Sequence, residues 1–478
     1  MQVYNLENLN NISNEHIEFL ISDKQFLVRL RGETVKYSTF VKRESTKTEH
    51  RLIKEIAVLE ERSDLVMNLE LLNDKKTELE EIREIKLKGH MIRSRIEWLN
   101  EGEKPTKFFC SLENKNYVNK TIKKVIANND TVITDQKEIL AEVSLFYKNL
   151  FQNKDSTLED INLDNLFSNA TQVKLTVDES NSLEGMLTLN EISKALKNMK
   201  NNKTPGIDGF PADFFKFFWE KLKFFVLRCL NQSFLEGTLP LTLRQCIISC
   251  LPKGEKPREF LKNWRPISLL SVVYKIASSS IANRLKTVLN KIISNSQSGF
   301  LQGRFIGEST RLVYDIMNYC ETYKLDGLLL LIDFEKAFDS VSWSFLYKTL
   351  NYFKFGKKII SWIKLFNNDI RASVLQCGHL SDFFRIERGC RQGDPISAYL
   401  FILCVQLMYL MIKLNIDIKG ITILNNTYDI TQFADDTTLL LDGSQGSLQA
   451  ALNTIEIFGT YSGLRMNKDK TKVIWIGR

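Results

Sequence analysis

Apolar positions near the start of the chain follow a helical repeat. Between Val41 and Lys88 there is no glycine or proline, and charges of both signs fill the positions between the apolar residues. This pattern predicts a long amphipathic helix or a helical hairpin. Its apolar stripe either packs on the rest of the chain or forms a coiled coil with a second copy, and the irregular heptads favour packing on the chain.

Short apolar runs dominate the second half of the chain, where helical patterns alternate with predicted strands from about Leu189 onward. Leu328–Ile332 has the pattern of a fully buried strand. Tyr428–Gln432 and Thr437–Leu441 flank a short polar tip, as the two strands of a hairpin do. These elements predict an α+β fold.

Three carboxylates lie at the ends of these predicted strands. Asp333 directly follows the buried strand, and Asp435 and Asp436 occupy the hairpin tip. Adjacent carboxylates repel each other, and burial would raise their pKa values unless a cation neutralises them. An all-oxygen ligand set favours Mg²⁺ or Mn²⁺, and two such ions can clamp a phosphoryl transfer. The alternative is that Asp435 and Asp436 are ordinary polar turn residues.

Length and composition indicate a globular protein. With 478 residues, of which 44% are hydrophobic, the chain is long enough for two to four domains. Its 8 cysteines form neither a disulfide framework nor a zinc pattern, which indicates reduced thiols in an intracellular protein. The N-terminus lacks a signal pattern, and the apolar stretch Ala398–Ile412 is predicted to be too short to span a bilayer, so we expect no membrane partner.

Charge is distributed unevenly along the chain. Residues 83–124 carry 11 Lys and Arg against 5 Asp and Glu, and residues 191–290 carry 17 against 7. Both regions could face a polyanion, although basic residues on solvated helices are common. Residues 155–190 are acidic and predicted to be a surface linker. We therefore predict a helical N-terminal region (1–90), a basic template-binding extension with an acidic linker (91–188) and a catalytic domain (189–478).

The segments between the carboxylates resemble a known family. The blocks that carry the resemblance are Lys203–Gly209 (KTPGIDG), Trp264–Leu269 (WRPISL), Gln297–Phe300 (QSGF), Asp333–Asp339 (DFEKAFD), Arg388–Ser397 (RGCRQGDPIS) and Phe433–Asp436 (FADD). Together they are similar to the reverse transcriptases of non-LTR (LINE-type) retrotransposons, and Arg93 to Phe109 resembles the segment that precedes their polymerase domain.

The resemblance implies the fingers and palm of a right-hand polymerase with a helical N-terminal extension. It also implies an RNA-directed DNA polymerase that uses an RNA template, a DNA primer or target and deoxynucleoside triphosphates. Asp333 and Asp435 would bind two Mg²⁺ ions, for which Mn²⁺ can substitute. The Phe334 carbonyl would be a further ligand, and Asp436 a supporting carboxylate.

The resemblance assigns further roles by position. The Phe338 ring would exclude a ribose 2′-hydroxyl, and Lys470 would protonate the leaving pyrophosphate as a general acid. Residues expected to bind the nucleotide or its template base are Lys253, Arg265, Gln392 and Gly393. Residues expected to contact nucleic acid are Arg93, Arg95, Gln297 and Arg304.

The chain departs from the family pattern after Lys470, where we expect the thumb to be missing, and we expect neither an endonuclease upstream nor a Cys/His knuckle downstream. It is therefore expected to be a fragment of a longer element protein or a decaying copy. Rival functions are an inactive nucleic-acid-binding remnant, an intron maturase and a viral RNA polymerase, the last disfavoured by Phe338 and Ala434. The expected location is intracellular, with RNA assembly in the cytoplasm and the reaction on chromosomal DNA in the nucleus.

Overall fold

The computed structural model describes residues 26–61, 68–94, 121–127, 130–153, 162–170 and 172–477. The chain divides into two units. The first unit comprises Met1–Thr134, Asp208–Phe210 and Leu251–Arg265. The second unit comprises Asp135–Ile207, Pro211–Cys250 and Pro266–Arg478.

Two long helices of the first unit pack against each other. They are α1 (Phe26–Glu61) and α2 (Asn68–Ser94). Leu52, Ile56 and Leu79 form a buried apolar cluster between them, with Leu72 and Ile82 packed against it. Ion pairs flank the cluster, with Lys75 Nζ 3.2 Å from Glu55 and Lys76 Nζ 2.7 Å from Glu60. The prediction of a helical hairpin is confirmed, because the apolar stripes of the two helices bury each other.

The other described residues of the first unit include a small two-stranded sheet. Strands β1 (Val125–Ile126) and β2 (Val132–Ile133) pair antiparallel. The Ile126 amide donates to the Glu259 carbonyl at 3.0 Å. The loop that contains Glu259 ends in a 3₁₀ turn (Leu261–Asn263) and the buried Trp264, whose indole N–H donates to the Arg258 carbonyl at 2.8 Å.

The second unit mixes helices and strands, as the α+β prediction requires. Strands β3 (Gln245–Pro252) and β4 (Trp264–Leu269) run along the chain from one unit into the other. The remaining strands are β5 (Gly327–Ile332), β6 (Arg371–Gln376), β7 (His379–Leu380), β8 (Phe384–Arg385), β9 (Ile421–Ile423), β10 (Asn426–Tyr428), β11 (Ile430–Phe433), β12 (Asp436–Leu441) and β13 (Lys472–Ile476). The helices are α3 (Gln136–Phe151), α4 (Leu163–Leu166), α5 (Val177–Ser182), α6 (Leu189–Lys197), α7 (Ala212–Phe217), α8 (Trp219–Glu236), α9 (Leu241–Arg244), α10 (Val272–Ile292), α11 (Ile306–Tyr323), α12 (Ala337–Ser340), α13 (Trp343–Tyr352), α14 (Lys357–Asn367), α15 (Ser397–Leu414) and α16 (Gln445–Ser462).

An antiparallel sheet with the order β11-β12-β5-β13 positions the candidate site. The predicted buried strand is β5, and the predicted hairpin is β11 and β12, so both predictions are confirmed. Thr437 pairs with Ile332 and Leu441 with Leu328. Helix α11 covers one face of this sheet, and the shared core contains Ile316, Cys320, Leu329, Ile421, Leu440 and Ile476. A second sheet has the order β4-β3-β6-β7, with β8 also paired to β6 and with β3 parallel to β6.

The most apolar helix, α15, lies in the core of the second unit. It is in contact with α10, α13 and α16. The prediction that this stretch is too short to cross a bilayer is wrong by length and composition, because the helix has 18 residues and a mean hydropathy of 1.8. However, 67% of it is buried inside the protein, so packing explains its apolar character. Its buried Gln406 accepts from the Ser294 amide at 3.0 Å.

The acidic stretch predicted to be a surface linker is folded where it is described. Within residues 162–190, helices α4 and α5 form, and the Leu175 amide donates to the Phe353 carbonyl at 3.1 Å. The linker prediction is wrong here because apolar residues alternate with the acidic ones and are buried, namely Leu163, Phe167, Leu175, Leu183 and Leu187. The seven cysteines in the described part of the chain are all free, as predicted.

Candidate active site

The ladder between β5 and β12 brings the predicted carboxylates to one edge of the sheet. Thr437 pairs with Ile332, and the same register continued by one residue places Asp436 opposite Asp333. Asp436 is the first residue of β12, and Asp435 is the second residue of the two-residue turn that joins β11 to β12. Backbone pairing alone therefore places Asp436 opposite Asp333, with Asp435 in the adjoining turn, although Asp333 is far from the other two in sequence.

The electrostatics of this edge follow from the pairing. Partial burial of the Asp436 carboxyl raises its pKa above the usual value, although the residue as a whole is exposed, and the negative charge of Asp333 raises that pKa further. A like charge at short range disfavours ionisation of Asp436. A cation bound between these carboxylates would remove the penalty.

Lys470 supplies one positive charge at Asp333. Its Nζ donates to Asp333 Oδ2 at 2.8 Å. The chain around Lys470 wraps the end of β5, since the Asn467 amide donates to the Asp333 carbonyl at 2.8 Å and the Glu335 amide donates to the Arg465 carbonyl at 2.9 Å. The structure thus brings the predicted general acid to the predicted metal ligand.

The donor chemistry of the site fits a hard divalent cation. All the side-chain oxygens that could bind a cation here belong to carboxylates. The hydrogen bonds of the bridge between Phe334 and Met466 involve the Asp333 carbonyl and the Glu335 amide, on either side of Phe334. Among the described residues, no group of three or more His, Cys, Asp or Glu side chains forms a complete metal site. Mg²⁺ sites commonly use one or two carboxylates and take their other ligands from water and substrate phosphates, so the carboxylates present are sufficient.

The hairpin turn is held from outside by Gln297. This side chain is 1% exposed, and its Oε1 accepts from the Ala434 amide at 2.8 Å. The template contact expected of Gln297 stays a prediction, and in the structure the amide of this side chain is buried against the turn.

Arg304, also predicted to contact nucleic acid, hydrogen-bonds to four backbone carbonyls. Its guanidinium donates to Gln297 O at 2.7 Å, to Ile293 O at 2.9 Å, to Asn290 O at 3.3 Å and to Ser294 O. These contacts give Arg304 a structural role at the C-terminal end of α10. For Arg93 only its place in α2 is described, whereas Arg95 and the basic block to Phe109 lie outside the described residues.

Phe338 belongs to a cluster of three aromatic rings. Its ring stacks on Phe401 of α15, with the centroids 4.3 Å apart and the planes at 17°. Phe300 meets Phe338 edge-on at 6.1 Å and 89°. Because Phe338 remains partly exposed five residues after Asp333, its ring can still contact a substrate.

Gln392 and Gly393 lie in a tight loop in the second unit. Gln392 Nε2 donates to both carboxylate oxygens of Asp339, at 3.1 and 3.3 Å. The Ser268 amide donates to the Gln392 carbonyl at 2.8 Å. Gly393 has a φ of +107°, and a Cβ there would collide with the Ser268 carbonyl, so only glycine fits this position.

Lys253 and Arg265 belong to the first unit. The Lys253 amide donates to Asn263 O at 2.9 Å, and its Nζ donates to Lys262 O at 3.1 Å. Arg265 lies in β4 with an exposed side chain. Their roles at the triphosphate stay predictions.

Sequence reasoning missed the buried ionic cluster that flanks Gln392 and Gly393. Arg391 donates to Asp394 Oδ2 at 3.2 Å, and both side chains are buried. Tyr274 donates to the same oxygen at 2.6 Å, and Ser278 donates to Oδ1. The signal was present, because an Arg and an Asp three residues apart bracket the glycine loop. The buried Asp339 beside Gln392 was also missed.

Comparison with known proteins agrees with this site. Residues 251–475 match the family described as reverse transcriptase (RNA-dependent DNA polymerase). The transposon TX1 uncharacterized 149 kDa protein of Xenopus laevis is 31% identical over 87% of this chain and 32% of its own length. The retrovirus-related Pol polyprotein from type-2 retrotransposable element R2DM of Drosophila melanogaster is 28% identical over 52% of this chain and 23% of its own length. The chain thus spans a third or less of these relatives.

A structural similarity was also found, to an apo telomerase from Candida tropicalis truncated from its C-terminal domain. It has a TM-score of 0.36 and 12% identity, and it covers 49% of this chain and 50% of that one. This value is too low to carry a structural argument.

The matched segment, with its strand-end aspartate and its aspartate-bearing hairpin, is a reverse transcriptase domain. The chain as a whole is similar to proteins of transposable elements, among them the two relatives named above.

Proposed function

We propose that this chain is the RNA-directed DNA polymerase of a non-LTR retrotransposon, which adds deoxynucleotides to a primer 3′-hydroxyl on an RNA template. The observation that carries the proposal is the β5–β12 ladder, which sets Asp436 opposite Asp333 with Asp435 in the adjoining turn. Carboxylates on neighbouring strand ends are what a nucleotidyl transfer through divalent cations requires.

Asp333 and Asp435 would hold two divalent cations together with the Phe334 carbonyl, and Asp436 would support them. Divalent cations held by these residues would supply Lewis acidity, which would lower the pKa of the primer hydroxyl and stabilise negative charge on the departing pyrophosphate. The raised pKa of Asp436 supports this assignment, because its repulsion by Asp333 is relieved by a bound cation.

Lys470 would donate the proton that the pyrophosphate takes up as it leaves. Its ammonium is 2.8 Å from Asp333, so it is within reach of the phosphates that the cations would bind. Lysine suits this role, because its ammonium can release a proton where an arginine guanidinium cannot.

We assign substrate selection to Phe338, to the loop that contains Gln392 and Gly393, and to two basic residues. Phe338 would contact the sugar and exclude a 2′-hydroxyl, Gln392 and Gly393 would line the sugar and the template base, and Lys253 and Arg265 would grip the triphosphate. The stacking of Phe338 on Phe401 supports its part, because a ring packed on a core helix cannot swing away from a larger sugar.

The proposed architecture assigns the carboxylate-bearing sheet to the palm and the 251–265 loop to the fingers. The proposed partners are an RNA template, a DNA primer or target and deoxynucleoside triphosphates. We also propose, from the family, that RNA assembles with the protein in the cytoplasm and that synthesis takes place on nuclear DNA.

Primer extension tests this function directly. The purified chain is given a DNA primer on a heteropolymeric RNA template with Mg²⁺, and deoxynucleotides are compared with ribonucleotides. Extension with deoxynucleotides only is the expected result. Extension with ribonucleotides would indicate an RNA polymerase instead, and RNA binding without extension would indicate a binding protein or a maturase.

A further inference from the structure

The turn that carries Asp435 has an unusual backbone. Ala434, the first of its two residues, adopts a φ of +56° and is buried. A left-handed backbone is unfavourable for an L-residue with a Cβ, and hairpin turns therefore favour glycine, asparagine or aspartate at such positions. Contacts from outside the hairpin must offset this cost.

The Gln297 side chain supplies these contacts. Its Oε1 accepts from the Ala434 amide and from the Gly299 amide, each at 2.8 Å. Its Nε2 donates to the Ala434 carbonyl at 3.3 Å. One buried amide therefore satisfies both backbone polar groups of the strained residue, which would otherwise be costly to bury.

The backbone around Gln297 docks along β11 to make this possible. The Ser298 amide donates to Gln432 O at 2.9 Å, and the Gln432 amide donates to Ser296 O at 2.7 Å. A Cβ on Gly299 would collide with the Ala434 amide nitrogen. The close approach thus requires glycine at this position.

The docked segment is itself tied to the core. Arg304 donates to the carbonyl of Gln297 and to carbonyls at the end of α10. The turn is therefore connected through Gln297 and Arg304 to the end of a long buried helix. A shift of the turn would have to break the hydrogen bonds of Gln297.

We propose that Gln297 is a positioning residue whose amide fixes the turn at Ala434 and so sets the place of Asp435 and Asp436 relative to Asp333. The catalytic consequence rests on the proposed function, whereas the structural consequence does not. Gln297 acts through the turn and does not touch nucleic acid.

Kinetics of Gln297→Met test the catalytic consequence. The methionine keeps the volume and loses the hydrogen bonds. We expect kcat for deoxynucleotide addition to fall about 100-fold, because misplacement of a catalytic group by about 1 Å has that effect. The KM for nucleotide and the affinity for primer–template stay unchanged. The matched control is Gln302→Met, an exposed glutamine of the same loop, which leaves all three values unchanged.

A second substitution distinguishes positioning from general support. Ala434→Gly in the Gln297→Met background lets the turn adopt its left-handed backbone without the hydrogen bonds of Gln297, so kcat recovers at least in part. Loss of primer–template affinity with an unchanged kcat in Gln297→Met would overturn the proposal in favour of a template contact.

Two measurements do not require polymerisation, and the first of them, made on the wild-type protein, decides the structural consequence even if a variant does not fold. Hydrogen exchange of the wild-type protein is expected to show a protected Ala434 amide, and exchange at the rate of a free amide would overturn the proposal. Titration with Mn²⁺ alone should show affinity reduced about 10- to 100-fold in folded Gln297→Met, which is the usual cost of losing a residue that orients metal ligands. Unchanged affinity would likewise contradict it.

Discussion

Lys470 donates a hydrogen bond from Nζ to Oδ2 of Asp333 across 2.8 Å. The two side chains are 49% and 35% exposed, so the pair lies at the solvent-facing rim of the candidate site. A strand-end carboxylate with an ammonium beside it combines a cation ligand and a proton donor in one place. This relationship could not be read from the sequence, because the two residues are 137 positions apart.

Replacing Lys470 by methionine should lower kcat for deoxynucleotide addition by about 10² to 10⁴, the range associated with loss of a general acid. Lys470→Arg keeps the charge and should be nearly as slow, because the guanidinium does not release its proton. The rates are measured in single-turnover extension. Lys468→Met, in which the lost lysine pairs with Glu456, is the matched control and should retain the wild-type rate. Equal rates for Lys470→Met and wild type would remove Lys470 from the mechanism.

The metal-free protein should become more stable when Asp436 is replaced by asparagine. The pKa of Asp436 is raised in the folded state, so the group stabilises the fold only while it is protonated, and that contribution is lost as pH rises through the folded-state pKa. Asparagine does not ionise, so the Tm of Asp436→Asn should exceed that of wild type at neutral pH, and the gap should close toward acid pH. Thermal unfolding in chelator across this range measures it. A difference in Tm between Asp436→Asn and wild type that widens toward acid pH would contradict this prediction.

Shortening Phe338 should relax sugar selection. Phe338→Val removes the ring that packs on Phe401, and the site should then accept ribonucleotides with discrimination reduced on the order of 10- to 100-fold, as contacts of this size allow. The ratio of kcat/KM for deoxy- and ribonucleotides is measured. Phe224→Ala, which truncates an exposed aromatic residue of α8, should leave that ratio unchanged. A similar change in both variants would assign the effect to general loosening.

The buried ion pair beside the glycine loop should matter for stability. Asp394→Ala leaves the buried Arg391 charge without its carboxylate and should cost about 3 to 5 kcal/mol in free energy of unfolding. Urea denaturation measures the loss. Asp315→Ala, which breaks an exposed pair with Arg311, should cost no more than about 1 kcal/mol. Comparable losses in the two variants would mean that burial of the Arg391 pair adds nothing.

Local patterns predicted the elements of the site well. The apolar run before Asp333 and the two runs around Asp435 each determine their own strand, because burial on both faces and a short polar turn are local properties. The amphipathic stripe of α1 and α2 likewise indicated a helical hairpin. Each of these patterns is contained in one short stretch of sequence.

Contacts between segments that are far apart in sequence could not be predicted from local patterns. Gln297 looked like a loop residue open to a template, yet its amide is buried against Ala434, 137 positions later. Acidic composition suggested a linker where Leu175 and its neighbours are buried, because scattered apolar residues matter more for packing than net charge does. In both cases the tertiary partner decided the role of the segment.

Single-turnover extension of a DNA primer on RNA with Mg²⁺, comparing wild type with Asp435→Ala, tests the central claim most directly. Asp417→Ala is the matched control, because Asp417 is an exposed aspartate in the loop after α15. If the aspartates of the β5–β12 edge catalyse reverse transcription, Asp435→Ala abolishes deoxynucleotide addition, while primer–template affinity and the rate of Asp417→Ala stay at wild-type values. Extension by Asp435→Ala at the wild-type rate would contradict the claim.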